Sequence, residues 1–330
     1  MASTPLLALA CMDADLERIE SALLASVRTS DAHLTELASH LIVAGGKRLR
    51  PVMSVVCARV GFDDHLDVAE QVILGGISCE LVHLGSLYHD DVMDEAATRR
   101  GVETVNAKWG NLQAILAGDF LLSRASEIAA SLGMEVAGLL ARTIGRLCEG
   151  QIEELRHTYD PARPEQSYLS SIGGKTASLY ATAARIGALV AGHDRSVVEL
   201  LTRFGETYGM VFQIVDDLLD ITATDEQLGK PAGHDMEEGV YTLPVLRTLA
   251  GTDGVAAELF QLLGSPLSPH DRHHALSLVR SNGGVASAAS TARDLALEAA
   301  ALCDDLPPST ATDALRAAPM ALLDSVALGV

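Results

Sequence analysis

The chain is poor in lysine, aromatic side chains and positive charge. It has four Lys in 330 residues, one Trp, 4% aromatics in all, and 24 basic against 44 acidic residues for a net charge of −20. An acidic excess of that size excludes nucleic acid as a partner, because phosphate backbones are bound by basic surfaces. It disfavours an anionic membrane surface for the same reason. Cysteine is sparse too: five residues, no C-x-x-C pair. That pattern predicts no disulfide framework and suits a reducing cytoplasm. No apolar run approaches the roughly 18 residues needed to span a bilayer. Residues 4–12 are apolar but lack a basic stretch before them and are followed by Asp13, Asp15 and Glu17, so no targeting segment is expected. The 48% hydrophobic content is too high for disorder, and the length suffices for a large buried core.

Scarce aromatics, abundant Ala and Leu, and the absence of alternating runs favour helix over sheet. Apolar residues recur at three- and four-residue steps over 67–95, 111–131, 134–157, 166–190 and 196–221, which predicts long helices there. Helices that long and that apolar must pack around one another. With no repeat, low-complexity tract or linker, residues 1–330 read as one all-α domain.

The acidic residues are patterned. Asp63-Asp64-His65-Leu66-Asp67, Asp90-Asp91-Val92-Met93-Asp94 and Asp216-Asp217-Leu218-Leu219-Asp220 share one D-D-x-x-D string. With 24 Asp in the chain, chance gives roughly 0.1 such strings. The string at 63–67 is read as capping and solvating the start of a helix. The other two lie near the C-terminal ends of apolar helices, where carboxylates oppose the helix dipole. Asp90 and Asp94 share a face there, as do Asp216 and Asp220. Stacked carboxylates repel unless a cation relieves them, and hard oxygen ligands select Mg²⁺ or Ca²⁺.

Three of the four lysines follow glycine: Gly45-Gly46-Lys47-Arg48-Leu49-Arg50-Pro51, Gly173-Gly174-Lys175-Thr176 and Gly229-Lys230-Pro231. Arg99-Arg100-Gly101 follows the acid string at 90–94. Glycine lets backbone N–H groups approach an anion, while Lys supplies a point charge and Arg a fork. Taken singly, G-G-K-R reads as a helix junction and an Arg pair as solvated surface. The G-G-K-T lacks the rest of a phosphate loop. Jointly, acid clusters interleaved with Gly-flanked cations point to a poly-anionic substrate held through metal ions, most simply a diphosphate.

These strings, with ELVHLGSLYHDDVMD (80–94), NAKWGNLQAILAGDFL (106–121), GQ (150–151), FQIVDDLLD (212–220), GKPAGHD (229–235) and TLP (242–244), resemble the trans-polyprenyl (isoprenyl) diphosphate synthases over nearly the whole chain. The resemblance implies an all-α bundle around a central cavity, a cytoplasmic homodimer and Mg²⁺, three ions when substrate is bound. It implies isopentenyl diphosphate and an allylic diphosphate as substrates. Asp90, Asp91, Asp94, Asp216, Asp217 and Asp220 are then the metal carboxylates. Arg99, Lys175 and Lys230 contact the allylic diphosphate, and Lys47, Arg50, His83 and Arg100 form the isopentenyl diphosphate site. Thr176 and Gln213 face the developing carbocation. From helix geometry alone, His83 reads as a core or capped histidine; the resemblance makes it a ligand. Many members carry a second Lys before T-L-P, where this chain has Val240, so the allylic diphosphate site has one fewer cation unless another basic residue substitutes.

Small residues above the first acid string, Gly85 and Ser86, with the Ala- and Ser-rich stretch after Asp119, predict an open tunnel and a product of about C30 to C50, limited by where the growing tail meets bulk. The alternatives are a C20–C25 synthase, a terpene cyclase, which ordinarily has an Asn/Ser/Glu second metal motif, and a non-catalytic partner subunit, which ordinarily loses an acid cluster.

Overall fold

The computed structural model describes residues 4–62, 67–224 and 231–326. Sixteen α-helices account for most of them. In order these are α1 (Met12–Ser26), α2 (Ala32–Val43), α3 (Leu49–Ala58), α4 (Glu70–Met93), α5 (Val105–Trp109), α6 (Asn111–Ser131), α7 (Met134–Arg156), α8 (Glu165–Ile172), α9 (Ser178–Val190), α10 (Arg195–Thr222), α11 (His234–Glu237), α12 (Leu243–Leu249), α13 (Gly254–Leu262), α14 (Pro269–Ser281), α15 (Gly284–Leu302) and α16 (Thr310–Asp324). The all-α expectation holds, with one small exception. Thr98–Arg99 (β1) and Val102–Glu103 (β2) pair antiparallel across Arg100-Gly101, both at positive φ.

Two helices organise the rest. α4, with 24 residues, runs about 36 Å, and α10, with 28, about 42 Å at 1.5 Å per residue. α9 packs against both; α3 and α6 flank α4, and α15 flanks α10. α4 is buried on most of its circumference, whereas α10 keeps one polar stripe. One apolar core joins α1–α4, α6 and α9, while a second joins the C-terminal half of α10 to α12–α15. Both acid strings fall at the ends of these helices. Arg280 on α14 takes up the exposed carbonyls at the end of α10, its Nε donating to Ile221 O at 2.7 Å and its Nη2 to Ala223 O at 3.3 Å. A cation there also complements the helix dipole.

Two expectations need correction. The helix expected over 166–190 is interrupted by one π turn, Gly173–Ala177, between α8 and α9. The reason is close packing: a Cβ on Gly150 of α7 would stand 2.6 Å from Lys175 N, and one on Gly174 would stand 2.7 Å from Arg146 O. Two backbones pressed together in this way leave the turn to bulge, a distortion frequent at functional sites. In the acid string at 63–67, residues 63–66 lie outside the described residues. Asp67 is exposed and is not the cap of α4, since the residue before that helix is Ala69 with no side-chain cap. Among the described residues no helix is long and apolar enough to cross a membrane.

The Gly150 contact yields a test. Gly150→Ala has only backbone to push against, and it is expected to lower stability by about 1–3 kcal/mol, read as a lower urea midpoint at unchanged m-value. An unaltered midpoint would mean that α7 and the π turn separate freely.

Candidate active site

The six aspartates of the two strings do not share one environment. Asp90 is half-buried in the last turn of α4, and Asp94 and Asp216 are exposed. Asp91, Asp217 and Asp220 are buried, at 2%, 3% and 4% exposure. Each buried carboxylate is held by protein. Arg99, carried by β1, ion-pairs with Asp91 through its Nε, and Asn106 Nδ2 donates to the Asp91 carbonyl at 3.0 Å. Asp217 accepts from Gln213 Nε2 at 2.8 Å and from the Tyr168 hydroxyl at 2.5 Å. Asp220 accepts Gly233 N at 2.9 Å through its carbonyl and Asp235 N at 3.4 Å through Oδ2, which pins the chain entering α11.

Electrostatics separates them as well. Burial, then Glu238 and Asp90, push the Asp94 carboxyl up to about 6. Burial pushes Asp217 up to about 7 despite the bonds from Tyr168 and Gln213. Lys175 stands between the two strings with Nζ donating to Glu154 Oε1 at 2.8 Å. Burial alone would depress its ammonium, but Glu154 and Asp90 outweigh that and hold it above the ordinary lysine value. The two strings therefore border one cavity of about 160 Å³ whose walls include Asp94, Glu154, Asp216, Asp235, Glu238 and Val240. Lys175 is the basic residue among its described walls. Thr176 also borders it and donates to Gln213 Oε1 at 2.7 Å, so the polar chain Thr176–Gln213–Asp217–Tyr168 runs along one side.

A second cavity, about 390 Å³, is basic: Lys47, Arg48, Arg50, His83 and Arg100 border it with Glu80. Arg48 builds it. This residue is 2% exposed, sits at φ 50° ahead of α3, and donates to Glu20 Oε1 at 2.6 Å, Glu80 Oε1 at 3.3 Å and Ile42 O at 2.8 Å. Arg100 bonds the Leu41 and Gly45 carbonyls, and Arg50 lies 5.0 Å from the Tyr180 ring centroid. Burial, then Arg50 and Arg100, hold His83 well below the ordinary histidine value, so it is neutral near pH 7.

A third cavity, about 280 Å³ and mostly apolar, runs between α4 and α7 from Asp90 and Lys175 past Ser86 towards Leu147, Ile152 and Leu155. Ser86 borders it, as expected. Gly85 does not: a Cβ there would lie 3.0 Å from Gly118 O and 3.2 Å from Leu122 Cγ, so its small size serves the α4–α6 contact. His89 borders this cavity and turns its Nε2 onto Ile115 O at 3.2 Å.

Most of the anticipated residues thus border three cavities, two of which meet at Lys175; Asp91 and Asp220 are not among the walls, and two further qualifications apply. Lys230 lies outside the described residues. Arg99 is engaged with Asp91 instead of facing the cavity alone. Arg48, Glu80, Glu154, Asp235 and Tyr168 were not anticipated. Arg48, Glu80 and Asp235 lie within the quoted strings, and Glu154 stands one turn after Gln151 in the G-Q string; Tyr168 had no such signal. Among the described residues, no three His, Cys, Asp or Glu side chains are set to hold a metal by themselves. The accessible carboxylates Asp90, Asp94 and Asp216 are hard donors, and the neighbouring imidazole of His89 is turned onto Ile115 O. They suit an ion of the Mg²⁺ or Ca²⁺ kind that completes its shell with water and phosphate oxygen.

An acid-rimmed cavity, a basic one and an apolar one in an all-helical fold define a protein that handles diphosphates bearing hydrocarbon tails. Comparison with known proteins agrees. The family model described as polyprenyl synthetase matches residues 31–278. The chain is 39% identical to nonaprenyl diphosphate synthase of Mycobacterium tuberculosis over 93% of this chain and 92% of that one. It is 45% identical to heptaprenyl diphosphate synthase component 2 of Geobacillus stearothermophilus over 72% and 73%. Among solved structures, a polyprenyl synthase from Caulobacter crescentus complexed with calcium and isoprenyl diphosphate superposes with a TM-score of 0.89, at 33% identity, over 98% of both chains. The chain belongs to the polyprenyl synthetase family. It is a prenyl transferase of the long-chain type.

Arg48→Lys keeps the charge but loses the fork, so the loop carrying Lys47 into the start of α3 loosens. A loss of about 1–3 kcal/mol in stability is expected, together with weaker binding of isopentenyl diphosphate measured by calorimetry. Unchanged affinity would show that the loop is held without Arg48.

Proposed function

We propose that the chain condenses isopentenyl diphosphate head-to-tail onto an allylic diphosphate with trans geometry, giving products of about C30 to C50. The observation that carries this reading is the junction at Lys175, which borders both the acid-rimmed cavity and the apolar one. A diphosphate held at one end of Lys175 places its tail in the other cavity.

Asp90, Asp94 and Asp216 would hold Mg²⁺, three ions with substrate bound, while Asp91, Asp217 and Asp220 act from behind through the bonds described. Mg²⁺ supplies charge stabilisation for a departing diphosphate. Lys175, Arg99 and Lys230 neutralise the allylic diphosphate; Lys175 exchanges Glu154 for phosphate oxygen. Lys47, Arg50, Arg100 and neutral His83 hold isopentenyl diphosphate in the basic cavity. Thr176 and Gln213 orient their oxygens towards the allylic carbon as its C–O bond breaks, a fixed-dipole stabilisation that needs no solvent reorganisation. The isopentenyl double bond attacks that carbon, and the proton lost goes to the departing diphosphate. The apolar walls along α4 and α7 keep water from the cation.

A homodimer fits the surface. Leu112, Ile115 and Leu116 of α6 form an i, i+3, i+4 stripe exposed at 79%, 40% and 65%, and a second copy of this chain is the occupant proposed for it. The likeness to a protein named component 2 favours a second reading, in which an unlike subunit takes that place.

Incubation of the purified chain alone with Mg²⁺, isopentenyl diphosphate and a labelled C15 primer tests both. Extractable C30–C50 products, abolished by chelator and restored by Mg²⁺, are expected from a species of dimer mass. Products of C20–C25 only would overturn the length, and dependence on an added subunit would overturn the homodimer. Ser86→Phe is expected to shorten the product by several isoprene units. Gly85→Phe is expected instead to destabilise the α4–α6 contact, seen as a lower melting temperature.

A further inference from the structure

Val240 stands in the acid-rimmed cavity where related chains were expected to carry a lysine. The carboxylates bordering that cavity therefore face a deficit of positive charge. One cation lies immediately behind them. Arg163, in the turn before α8, is 4% exposed. Its Nη1 donates to the carbonyl of Tyr241, the residue after Val240, at 3.4 Å. Its Nε and Nη2 are buried without a hydrogen-bond partner among the described residues. The guanidinium carbon lies 5.7 Å from the centroid of the Tyr168 ring. The charged neighbours that act on it most are Glu154 and Asp217, with the phenol of Tyr168 between them in strength.

A buried, permanently charged group with two unsatisfied donors is costly, and burial alone does not account for its retention. Its placement does. From Arg163 the side chains run in contact through Tyr168, whose hydroxyl donates to Asp217 Oδ2 at 2.5 Å, and Gln213, whose Nε2 donates to Asp217 Oδ1 at 2.8 Å, to Thr176. In this low-dielectric setting a charge acts over several ångströms with little screening.

Building on the reading of the site given above, we propose that Arg163 is a positioning residue that supplies, from beneath the acid-rimmed cavity, the positive charge that Val240 does not bring. It acts through Tyr168 on Asp217 and Gln213 and does not itself touch the diphosphate. Its effect is specific to the allylic half of the reaction, because the basic cavity around Lys47 and His83 is built on other elements.

The test is a set of variants compared with the parent chain. For Arg163→Met, the KM for a C15 allylic diphosphate and the Kd of its non-ionising thiodiphosphate analogue are expected to rise about tenfold, with the KM for isopentenyl diphosphate within about twofold. Adding Val240→Lys to that variant is expected to recover most of the loss, which a purely structural defect in the turn would not allow. Tyr168→Phe keeps the ring and removes the link. It is expected to raise the same allylic constants about threefold without lowering the melting temperature by more than a few degrees. Should Arg163→Met fail to fold, Tyr168→Phe decides by itself. Unchanged allylic constants in a folded variant, or equal losses on both substrates that Val240→Lys does not recover, would overturn the proposal. Absence of condensation by the parent chain would instead count against the assigned reaction, since the analogue-binding comparison reads Arg163 independently of turnover.

Discussion

Crowding carboxylates at the C-terminal ends of two long helices is the constraint around which this structure is arranged. The dipoles of α4 and α10 oppose negative charge there, and so do the carboxylates themselves. The fold answers by dividing each string. Inner members are taken up by fixed donors: Asp91 by Arg99, Asp217 by Tyr168 and Gln213, Asp220 by the backbone at Asp235. Outer members are left on the cavity walls, with Asp94 pushed up to about 6 by burial, Glu238 and Asp90. In the proposed reaction, that repulsion is what an incoming cation with its phosphate would relieve. Stability is given up locally so that binding has something to gain, and Arg280 limits the loss at the end of α10.

The same logic places the substrates. Negative and positive cavities are kept apart, each preorganised by buried ion pairs that do not depend on ligand. Arg48 and Glu80 shape the basic side before any diphosphate arrives. Lys175, by contrast, is held by Glu154 through a single bond, a partner that phosphate can replace. Rigid groups therefore shape the two cavities, while one lysine held by a single bond sits where, in the proposed reaction, charge would shift.

Much of this was legible in the sequence, and the failures have physical causes. The helices at 111–131 and 196–221 were placed within a residue or two of α6 and α10, because their apolar periodicity is strong and glycine marks one boundary. Both working acid strings were distinguished from the one at 63–67 by their position at helix ends. What a single strand of letters does not carry is facing direction on a helix buried nearly all round. Gly85 and Ser86 are adjacent, yet one meets α6 and the other the apolar cavity. On α4 neither periodicity nor residue size could decide between them. Nor could the π turn be foreseen, because it arises from the approach of Gly150 on a different helix. Arg48 and Tyr168 were missed because their importance lies in partners distant in the chain: Glu80 for one, Asp217 for the other.

The π turn at Gly173–Ala177 has a consequence for how the chain can vary. A turn with one surplus residue is the place in a helix where losing a residue restores ordinary winding, so a deletion there would be absorbed without unravelling α8 or α9. It would nonetheless draw in the bulged backbone that carries Lys175 and Thr176. Tyr168 upstream and Thr176 within the turn now meet on one wall, and the deletion would part them. The segment between them is thus locked in length, and at Gly174 and Lys175 in composition as well.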